Sequence, residues 1–305
     1  MGMLVNGAWV DKWYDTSASK GHFERPQTIF REHIEPGGPH APEAGRYHLY
    51  VSLACPWAHR ALIMRVLKGL ESLIDVSTVA PLMLEHGWQF DVSYRDKLFG
   101  SRYLHELYTR HDPSYSGRVT VPVLWDKHTG RIVNNESEEI MRILDRAFDG
   151  LGARPVSFYP EQLRGEIDAV NQRVYDTVNN GVYKAGFATS QQAYEEAFHA
   201  LFDSLTWLEE KLLASNYLVG NRLTEADLRL FTTLLRFDAV YYTHFKCNLR
   251  RISDYPALRA FRRRIYNLPG VADTVDIVYT KTHYFGSHRN INPTGIVPLG
   301  PHDWL

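Results

Sequence analysis

The spacing of apolar and polar residues differs between the two halves of the chain. Between residues 47 and 150, short apolar runs are separated by turn residues, which is typical of buried strands and short helices. From residue 161 on, apolar residues recur at helical spacing over long segments. These segments cover residues 161–179, 191–214, 225–242 and 256–266. The pattern predicts an α/β half followed by an all-α half.

The first apolar run predicts the centre of the α/β half. Residues 47–52 are expected to form a buried strand, and a helix is expected to begin at Pro56, because proline is tolerated at the first helical position. Cys55 then lies where the helix starts. Backbone amides and the helix dipole at such a position favour a thiolate, which is the nucleophilic form of cysteine.

A single cysteine beside an apolar strand is more often an inert core residue than a nucleophile. Pro56 reverses this expectation, because a Cys-Pro pair at a strand-to-helix junction is typical of thioredoxin-like redox folds. Ala58 occupies the position of a second cysteine, so the site has one thiol. A mixed disulfide formed there must be resolved by an external thiol, and glutathione is the usual intracellular one.

The following elements complete a β-α-β-β-β-α order, which is that of a thioredoxin-like domain. Residues 74–80 predict a second, parallel strand, and residues 118–126 a strand that Pro122 interrupts. Residues 131–133 predict a short return strand, and a helix follows within residues 134–144.

Two features of this region suggest contacts with a ligand. A cis bond before Pro122 would turn the backbone of Val121 toward a ligand that pairs with it as a strand, whereas a trans proline would indicate an ordinary edge strand. Ser137 is a suitable helix cap, and the amides beside it can hold a carboxylate while Glu136 takes an ammonium group. The simpler interpretation of that helix start is a well-capped helix.

In three segments the apolar residues do not recur at the spacing of a helix or a strand. Residues 1–46 mix turn formers with isolated aromatic residues, which predicts an irregular extension packed on the first domain, residues 47–150. Residues 81–117 form an aromatic-rich insertion that is expected to carry function. Residues 276–305 show no helical period and are expected to fold back over the second domain, residues 160–305.

Composition narrows the classes of function. A chain of 305 residues with 44% hydrophobic content can bury a large core. Its net charge of -1 gives no reason to expect nucleic acid or an anionic membrane as a partner. Cys55 and Cys247 are the only cysteines, which argues against a disulfide scaffold. With no export signal and no apolar run of spanning length, we expect a cytoplasmic protein.

No metal is expected. His244 and Cys247 offer two possible zinc ligands, but no second pair lies at ligand spacing.

Several short motifs point to one family. They are Cys55-Pro-Trp-Ala-His-Arg60, Gly117-Arg-Val-Thr-Val-Pro-Val-Leu-Trp125, Asn135-Glu-Ser137, Asn179-Asn-Gly-Val-Tyr-Lys-Ala-Gly-Phe187, His244-Phe-Lys-Cys-Asn248 and Asn292-Pro-Thr-Gly-Ile-Val-Pro298. In these motifs, and in its thioredoxin-like half followed by a helical half, the chain resembles the glutathionyl-hydroquinone reductases, also called xi-class glutathione transferases.

The resemblance implies roles for particular residues. Cys55 would be the nucleophile, glutathione the co-substrate, glutathionyl-hydroquinones the substrates and a homodimer the assembly. The implied glutathione site consists of Trp88, Arg118, the Val121 backbone, Glu136 and Ser137, with Arg110 as a rival to Arg118. The implied quinone pocket consists of Tyr183, Tyr241 and Tyr284, although any tyrosine among 18 is a core residue by default. Only one of Tyr241 and Tyr242 can face such a pocket from a helix.

Two other functions remain open at this point. A broader glutathione-dependent thiol transferase or dehydroascorbate reductase also needs one cysteine beside a glutathione site. A non-catalytic binding protein that retains the transferase fold would instead have an unreactive Cys55.

Overall fold

The computed structural model describes residues 2–305, which fold into two units. The first unit contains residues 2–13, 26–156 and 274–283. The second contains residues 14–25, 157–273 and 284–305. This division differs from the expected one at two places. Residues 14–25 of the extension belong to the second unit, and residues 274–283, near the C-terminal tail, belong to the first. Phe23 packs against Phe187 within the second unit, and Tyr279 donates a hydrogen bond to Val79 within the first.

A four-stranded mixed sheet forms the core of the first unit. In chain order the elements of this unit are β1 (Met3–Val5), β2 (Ala8–Val10), β3 (Tyr47–Val51), α1 (Pro56–Leu67), β4 (Ile74–Thr78), β5 (Met83–Leu84), β6 (Gly87–Trp88), α2 (His105–His111), β7 (Gly117–Arg118), β8 (Val123–Asp126), β9 (Arg131–Asn134) and α3 (Ser137–Arg146). The strand order is β4-β3-β8-β9, and only β3 and β4 run parallel. Every residue of β3 is buried, as expected for a central strand covered on both faces. The predicted thioredoxin-like half is confirmed.

The extension and the insertion contain short regular elements that their sequences did not predict. β1 and β2 form a hairpin, which pairs with β7 to give a three-stranded sheet. The insertion contains the β5–β6 hairpin and α2. Because these strands have 2 or 3 residues and α2 has 7, they are too short to show a hydrophobic period.

The second unit is helical, as predicted. Its helices are α4 (Arg164–Val174), α5 (Gly181–Gly186), α6 (Gln191–Ala214), α7 (Glu225–Arg236), α8 (Tyr242–His244) and α9 (Pro256–Tyr266). Two π-helical turns, Tyr175–Asn179 and Phe237–Tyr241, lie between α4 and α5 and between α7 and α8. Thr224 and Asp227 form the capping box at which α7 begins.

A further helix, α10 (Ile277–Ser287), overturns the prediction that the tail is non-helical. The helix is buried on most sides, including Tyr279, Thr280, His283, Tyr284 and Phe285. It therefore has no wide polar face and no amphipathic period to detect in the sequence.

Among the helices formed by residues 2–305, none has the length and the apolar character that a membrane-spanning helix needs.

Candidate active site

Cys55 is the N-cap residue of α1, at the end of the turn that follows β3. Its backbone is extended, and the Ala58 amide lies 3.5 Å from Sγ and donates to it. Pro56 is the first helical residue, as predicted, so the helix begins without using an amide at that position. Cys55 is half-buried. A backbone donor, the positive end of a helix and partial exposure are together the conditions that favour a reactive thiolate.

The carbonyl of Val121 faces the same sulfur. The Val121–Pro122 peptide bond is cis, and the Val121 carbonyl oxygen lies 3.6 Å from Sγ of Cys55. In the thiol form Cys55 donates to this carbonyl, whereas in the thiolate form it accepts from the Ala58 amide. A ligand amide that donates to Val121 would replace the thiol as the donor, and it would thereby favour the thiolate.

Glu136 caps α3, so the prediction that Ser137 is the cap is wrong. The backbone at Glu136 is extended, and its carboxylate accepts from the Glu138 amide at 3.3 Å and from the Thr28 hydroxyl at 3.0 Å. Ser137 is therefore the first helical residue. Its hydroxyl accepts a hydrogen bond from the buried Arg60 at 3.4 Å. Arg60 thus joins the helix that carries Cys55 to the start of α3.

Trp88 lies on the short strand β6 and is buried. Its ring stacks on His283 with 4.8 Å between ring centroids and an interplanar angle of 16°. His283 Nδ1 lies 2.8 Å from the Pro81 carbonyl, which only accepts, so Nδ1 carries the hydrogen of this contact. The contact fixes the orientation of the imidazole that supports the tryptophan.

The two candidate arginines have different surroundings. Arg118 lies on β7, and its guanidinium donates to the backbone carbonyls of Lys12 and Trp13 in the extension. The Arg110 guanidinium lies 4.2 Å from the ring centroid of Phe99. Arg118 is therefore held by the N-terminal extension, and Arg110 by an aromatic ring of the insertion.

Three predicted tyrosines lie together in the second unit. The hydroxyl of Tyr284 is 2.6 Å from that of Tyr183 and 3.0 Å from that of Tyr241. All three side chains are buried, whereas the neighbouring Tyr242 is half-buried and has the Arg251 guanidinium over its ring. Of the two adjacent tyrosines, Tyr241 is therefore the one that belongs to the cluster.

Burial controls the ionisation of Tyr241 and Tyr284 in this cluster. It raises the pKa of Tyr241 and of Tyr284 well above the ordinary value, although the nearby Arg236 acts in the opposite direction. At neutral pH these phenols are therefore protonated. A cluster of buried, neutral hydroxyl groups is suited to donating hydrogen bonds to an oxygen that gains negative charge.

Comparison with known proteins identifies the family. Models of the glutathione S-transferase N-terminal and C-terminal domains match residues 54–147 and 191–264. The chain is 56% identical to the glutathionyl-hydroquinone reductase PcpF of Sphingobium chlorophenolicum, over 99% of this chain and 96% of that protein. The chain belongs to the glutathionyl-hydroquinone reductases, the xi class of glutathione transferases. A second reductase of this name, YqjG of Escherichia coli K12, is also 56% identical, over 99% of this chain and 95% of that protein.

Solved structures of a glutathione transferase homolog and of a xi-class transferase match at least 98% of this chain. The glutathione-bound structure of YqjG from Escherichia coli K-12 has a TM-score of 0.90 at 53% identity and covers 98% of this chain and 96% of that one. The xi-class transferase of Natrialba magadii has a TM-score of 0.95 at 47% identity and covers 100% of this chain and 95% of that one.

Within residues 2–305 of this reductase, His, Cys, Asp and Glu side chains form no group of three that could hold a metal ion.

Sequence reasoning missed Arg60, which the reductase fold buries almost completely beside the candidate site. The Arg60 guanidinium lies 4.7 Å from the ring centroid of Trp57 and donates to Ser137. The signal was present in the sequence, because Arg60 precedes the apolar residues 61–64 within α1, and an arginine in such a helix seldom lacks a partner when it is buried.

The two cysteines of this reductase should differ sharply in reactivity. Cys247 is fully buried, its sulfur lies 3.8 Å from the Phe245 carbonyl, and burial raises the pKa of its thiol. We expect iodoacetamide at neutral pH to label Cys55 at least about tenfold faster than Cys247. Peptide mass mapping after limited alkylation measures the two rates. Equal rates, or faster labelling of Cys247, would contradict the proposed reactivity of Cys55.

Proposed function

We propose that this chain reduces glutathionyl-hydroquinones to hydroquinones in a glutathione-dependent reaction that passes through a mixed disulfide on Cys55. The observation that carries the proposal is the half-buried Cys55 at the N-cap of α1, with the Ala58 amide donating to its sulfur. The relatives support the same function, because the chain is 56% identical over 99% of its length to each of two glutathionyl-hydroquinone reductases.

The first chemical step transfers the glutathionyl group. The Cys55 thiolate attacks the glutathione sulfur of the substrate, an S–S bond forms, and the bond between that sulfur and the aromatic ring breaks. The electron pair of the broken bond goes to the ring carbon, which takes up a proton. Cys55 is left as a mixed disulfide with glutathione, and the hydroquinone leaves.

The second step restores the enzyme. A glutathione thiolate attacks the glutathionyl sulfur of the mixed disulfide and forms oxidised glutathione. The Cys55 thiolate is released, and the Ala58 amide again stabilises it. The sum of both steps consumes one glutathionyl-hydroquinone and one glutathione, and yields one hydroquinone and one oxidised glutathione.

We assign glutathione binding to residues 47–150. The Val121 backbone would pair with the peptide, Glu136 would take the ammonium group, and amides at the start of α3 with Ser137 would hold a carboxylate. Trp88 would provide an apolar wall. Arg118 is our choice over Arg110 for the remaining carboxylate, because Arg118 lies on β7, three residues before Val121.

The tyrosine cluster, Tyr183, Tyr241 and Tyr284, would bind the hydroquinone ring, within residues 160–305. A carbon leaving group is poor, so the step needs a hydrogen-bond donor to the ring oxygen and a proton for the ring carbon. Neutral phenols supply both. The short hydroxyl contacts of Tyr284, 2.6 and 3.0 Å, would let a proton given up by one tyrosine be replaced from its neighbour.

Replacing Tyr241 with phenylalanine tests this role. The variant removes one hydroxyl while keeping the ring, so we expect kcat to fall by about 10- to 100-fold. The dissociation constant for glutathione should stay unchanged, because the tripeptide is held by other residues. Tyr242→Phe is the matched control, since Tyr242 lies next in sequence outside the cluster. Equal kcat values for the two variants would contradict the assignment.

Two substrates distinguish the proposed activity from a general thiol transferase. Glutathione-dependent hydroquinone release from a glutathionyl-hydroquinone is compared with reduction of a small glutathione mixed disulfide under the same conditions. The proposal predicts a higher kcat/KM for the aromatic adduct, because only that substrate uses the tyrosine cluster. A higher kcat/KM for the mixed disulfide would overturn it.

The proposal also includes the assembly and the compartment: the protein forms a homodimer and acts in the cytoplasm. Neither Cys55 nor Cys247 forms a disulfide bond, which suits a compartment where glutathione is kept reduced. The dimer follows the usual assembly of glutathione transferases, and sedimentation equilibrium at several protein concentrations measures it. A monomer at all concentrations would refute the dimer and leave the chemistry unaffected.

A further inference from the structure

The turn that carries Cys55 forms a hydrogen bond with the start of α10. We define this turn as residues 52–55, between β3 and α1. Its own bonds include the Cys55 amide to the Ser52 carbonyl at 3.1 Å and the Ala54 amide to the Ser52 hydroxyl at 3.3 Å. The Ser52 hydroxyl also lies 3.2 Å from the hydroxyl of Tyr279, which belongs to α10. One tyrosine, distant in sequence, therefore takes part in the backbone geometry beside the nucleophile.

The hydrogen-bond directions around Tyr279 follow from its partners. Its hydroxyl lies 2.6 Å from the Val79 carbonyl, which only accepts, so the tyrosine hydrogen lies on that bond. The Ser52 hydroxyl, 3.2 Å away, must then donate to the Tyr279 oxygen. The oxygen of Ser52 in turn accepts from Ala54. The result is a one-way chain from the Ala54 amide through Ser52 and Tyr279 to Val79.

This chain is buried throughout. Ser52 is 1% exposed and Tyr279 is 3% exposed, and the Tyr279 ring packs edge to face on Tyr94 at 5.4 Å. Burial, and the nearby Cys55 when it carries charge, raise the pKa of Tyr279, so the hydroxyl stays protonated. Water cannot readily substitute for a hydroxyl lost at such a position, so removing it leaves polar groups poorly satisfied.

Thr274, three residues before α10, also holds the first turn of α1. His59, four residues after Cys55, bonds through Nε2 to the Thr274 hydroxyl at 2.7 Å, and both residues are buried. Thr274 and Tyr279 thus fix the helix and the turn on either side of the sulfur.

We propose that Tyr279 is a positioning residue for Cys55: through Ser52 it holds the turn in the shape that aligns the sulfur with the Ala58 amide and with substrate. The inference rests on the proposed function, since it takes Cys55 to be the nucleophile. Tyr279 does not act on the hydroquinone. A displacement of about 1 Å at a reacting atom can cost about a hundredfold in rate.

The experiment compares two phenylalanine variants of the full chain. Tyr279→Phe deletes the hydroxyl that joins Ser52 and Val79. The matched control is Tyr47→Phe, because Tyr47 is a fully buried tyrosine of β3 whose hydroxyl donates to the Ala41 carbonyl at 2.7 Å, away from the turn. Four quantities are measured: the pH profile of Cys55 alkylation, kcat, the dissociation constant for glutathione and the melting temperature.

We expect Tyr279→Phe to lower both the Cys55 alkylation rate at neutral pH and kcat by about tenfold or more. Tyr47→Phe should change neither by more than about twofold, although both variants lose a buried hydrogen bond and melt earlier. Glutathione binding should be kept in both. Equal alkylation rates in the two variants, or a loss of kcat without slower alkylation, would overturn the inference.

A second variant covers the case in which Tyr279→Phe does not fold. Ser52→Ala breaks the same chain at its middle with a smaller change, and it should slow alkylation in the same direction. Unchanged alkylation in Ser52→Ala would overturn the inference. The alkylation readout needs no substrate, so this failure is distinct from a failure of the proposed function, which a Cys55→Ala enzyme with full turnover would reveal.

Discussion

Replacing Cys55 with alanine should lower glutathione-dependent hydroquinone release by about a thousandfold or more, because no other group can carry the glutathionyl intermediate. Cys55→Ser should be similarly inactive. Serine keeps a side-chain acceptor at the N-cap of α1, so this variant removes the nucleophile without removing the cap. Steady-state kinetics on a glutathionyl-hydroquinone, with circular dichroism to verify folding, measures both effects.

Cys247→Ala is the control for this prediction. Cys247 is buried and plays no part in the proposed chemistry, so its replacement should leave kcat within about twofold of the parent chain. Substantial turnover by Cys55→Ala, or a comparable loss in Cys247→Ala, would show that the thiolate mechanism is wrong.

Asp126→Asn should produce the largest loss of stability among the changes considered. Asp126 is completely buried at the end of β8, and its carboxylate accepts from Arg46 at 2.6 and 2.9 Å and from His40 at 2.7 Å. Removing its charge takes away the buried carboxylate that pairs with Arg46 and leaves the exposed Glu43, 3.8 Å away, which costs about 3–5 kcal/mol. Chemical denaturation measures the difference. Asp75→Asn is the control, because Asp75 is exposed and its contact with Lys127 at 3.5 Å is worth about 1 kcal/mol or less.

The stability effect of Asp126 should depend on pH with a definite sign. Burial alone would raise the pKa of Asp126, but the hydrogen bonds from Arg46 and His40 outweigh it and lower the pKa well below its usual range. A lowered pKa stabilises the folded state above the unfolded value of about 3.9, and this contribution is lost as the pH falls further. The difference between the parent chain and Asp126→Asn should therefore shrink below about pH 4. A difference that stays constant down to pH 2 would contradict the charge pairing.

Much of the first unit could be predicted because its signals are local. The apolar run at residues 47–51 predicts a buried strand by its pattern. Pro56 at the first position of α1 and Pro122, just before β8, restrict the backbone by sterics. The position of Cys55 at the N-cap followed from these restrictions. The cluster of Tyr183, Tyr241 and Tyr284 did not, because no local rule joins residues so far apart in sequence, and resemblance to the family supplied it.

The errors have physical causes in long-range packing. Helix α10 is buried on most sides, so its sequence lacks the polar face by which a helix is recognised. The cap of α3 is Glu136 and not the predicted Ser137, since the Glu136 carboxylate is held in place by Thr28 of the distant extension. The role inferred for Tyr279 was hidden for the same reason, because its partners Ser52 and Val79 are brought to it by the fold.

A single-turnover experiment tests the central claim most directly. Reduced protein, freed of glutathione, is mixed with an equimolar glutathionyl-hydroquinone, and intact mass and peptide mapping are recorded alongside the hydroquinone released. The mechanism predicts one equivalent of hydroquinone and one glutathionyl group attached to Cys55, both absent in Cys55→Ser. Hydroquinone released in full with no glutathionyl group on Cys55 would contradict it.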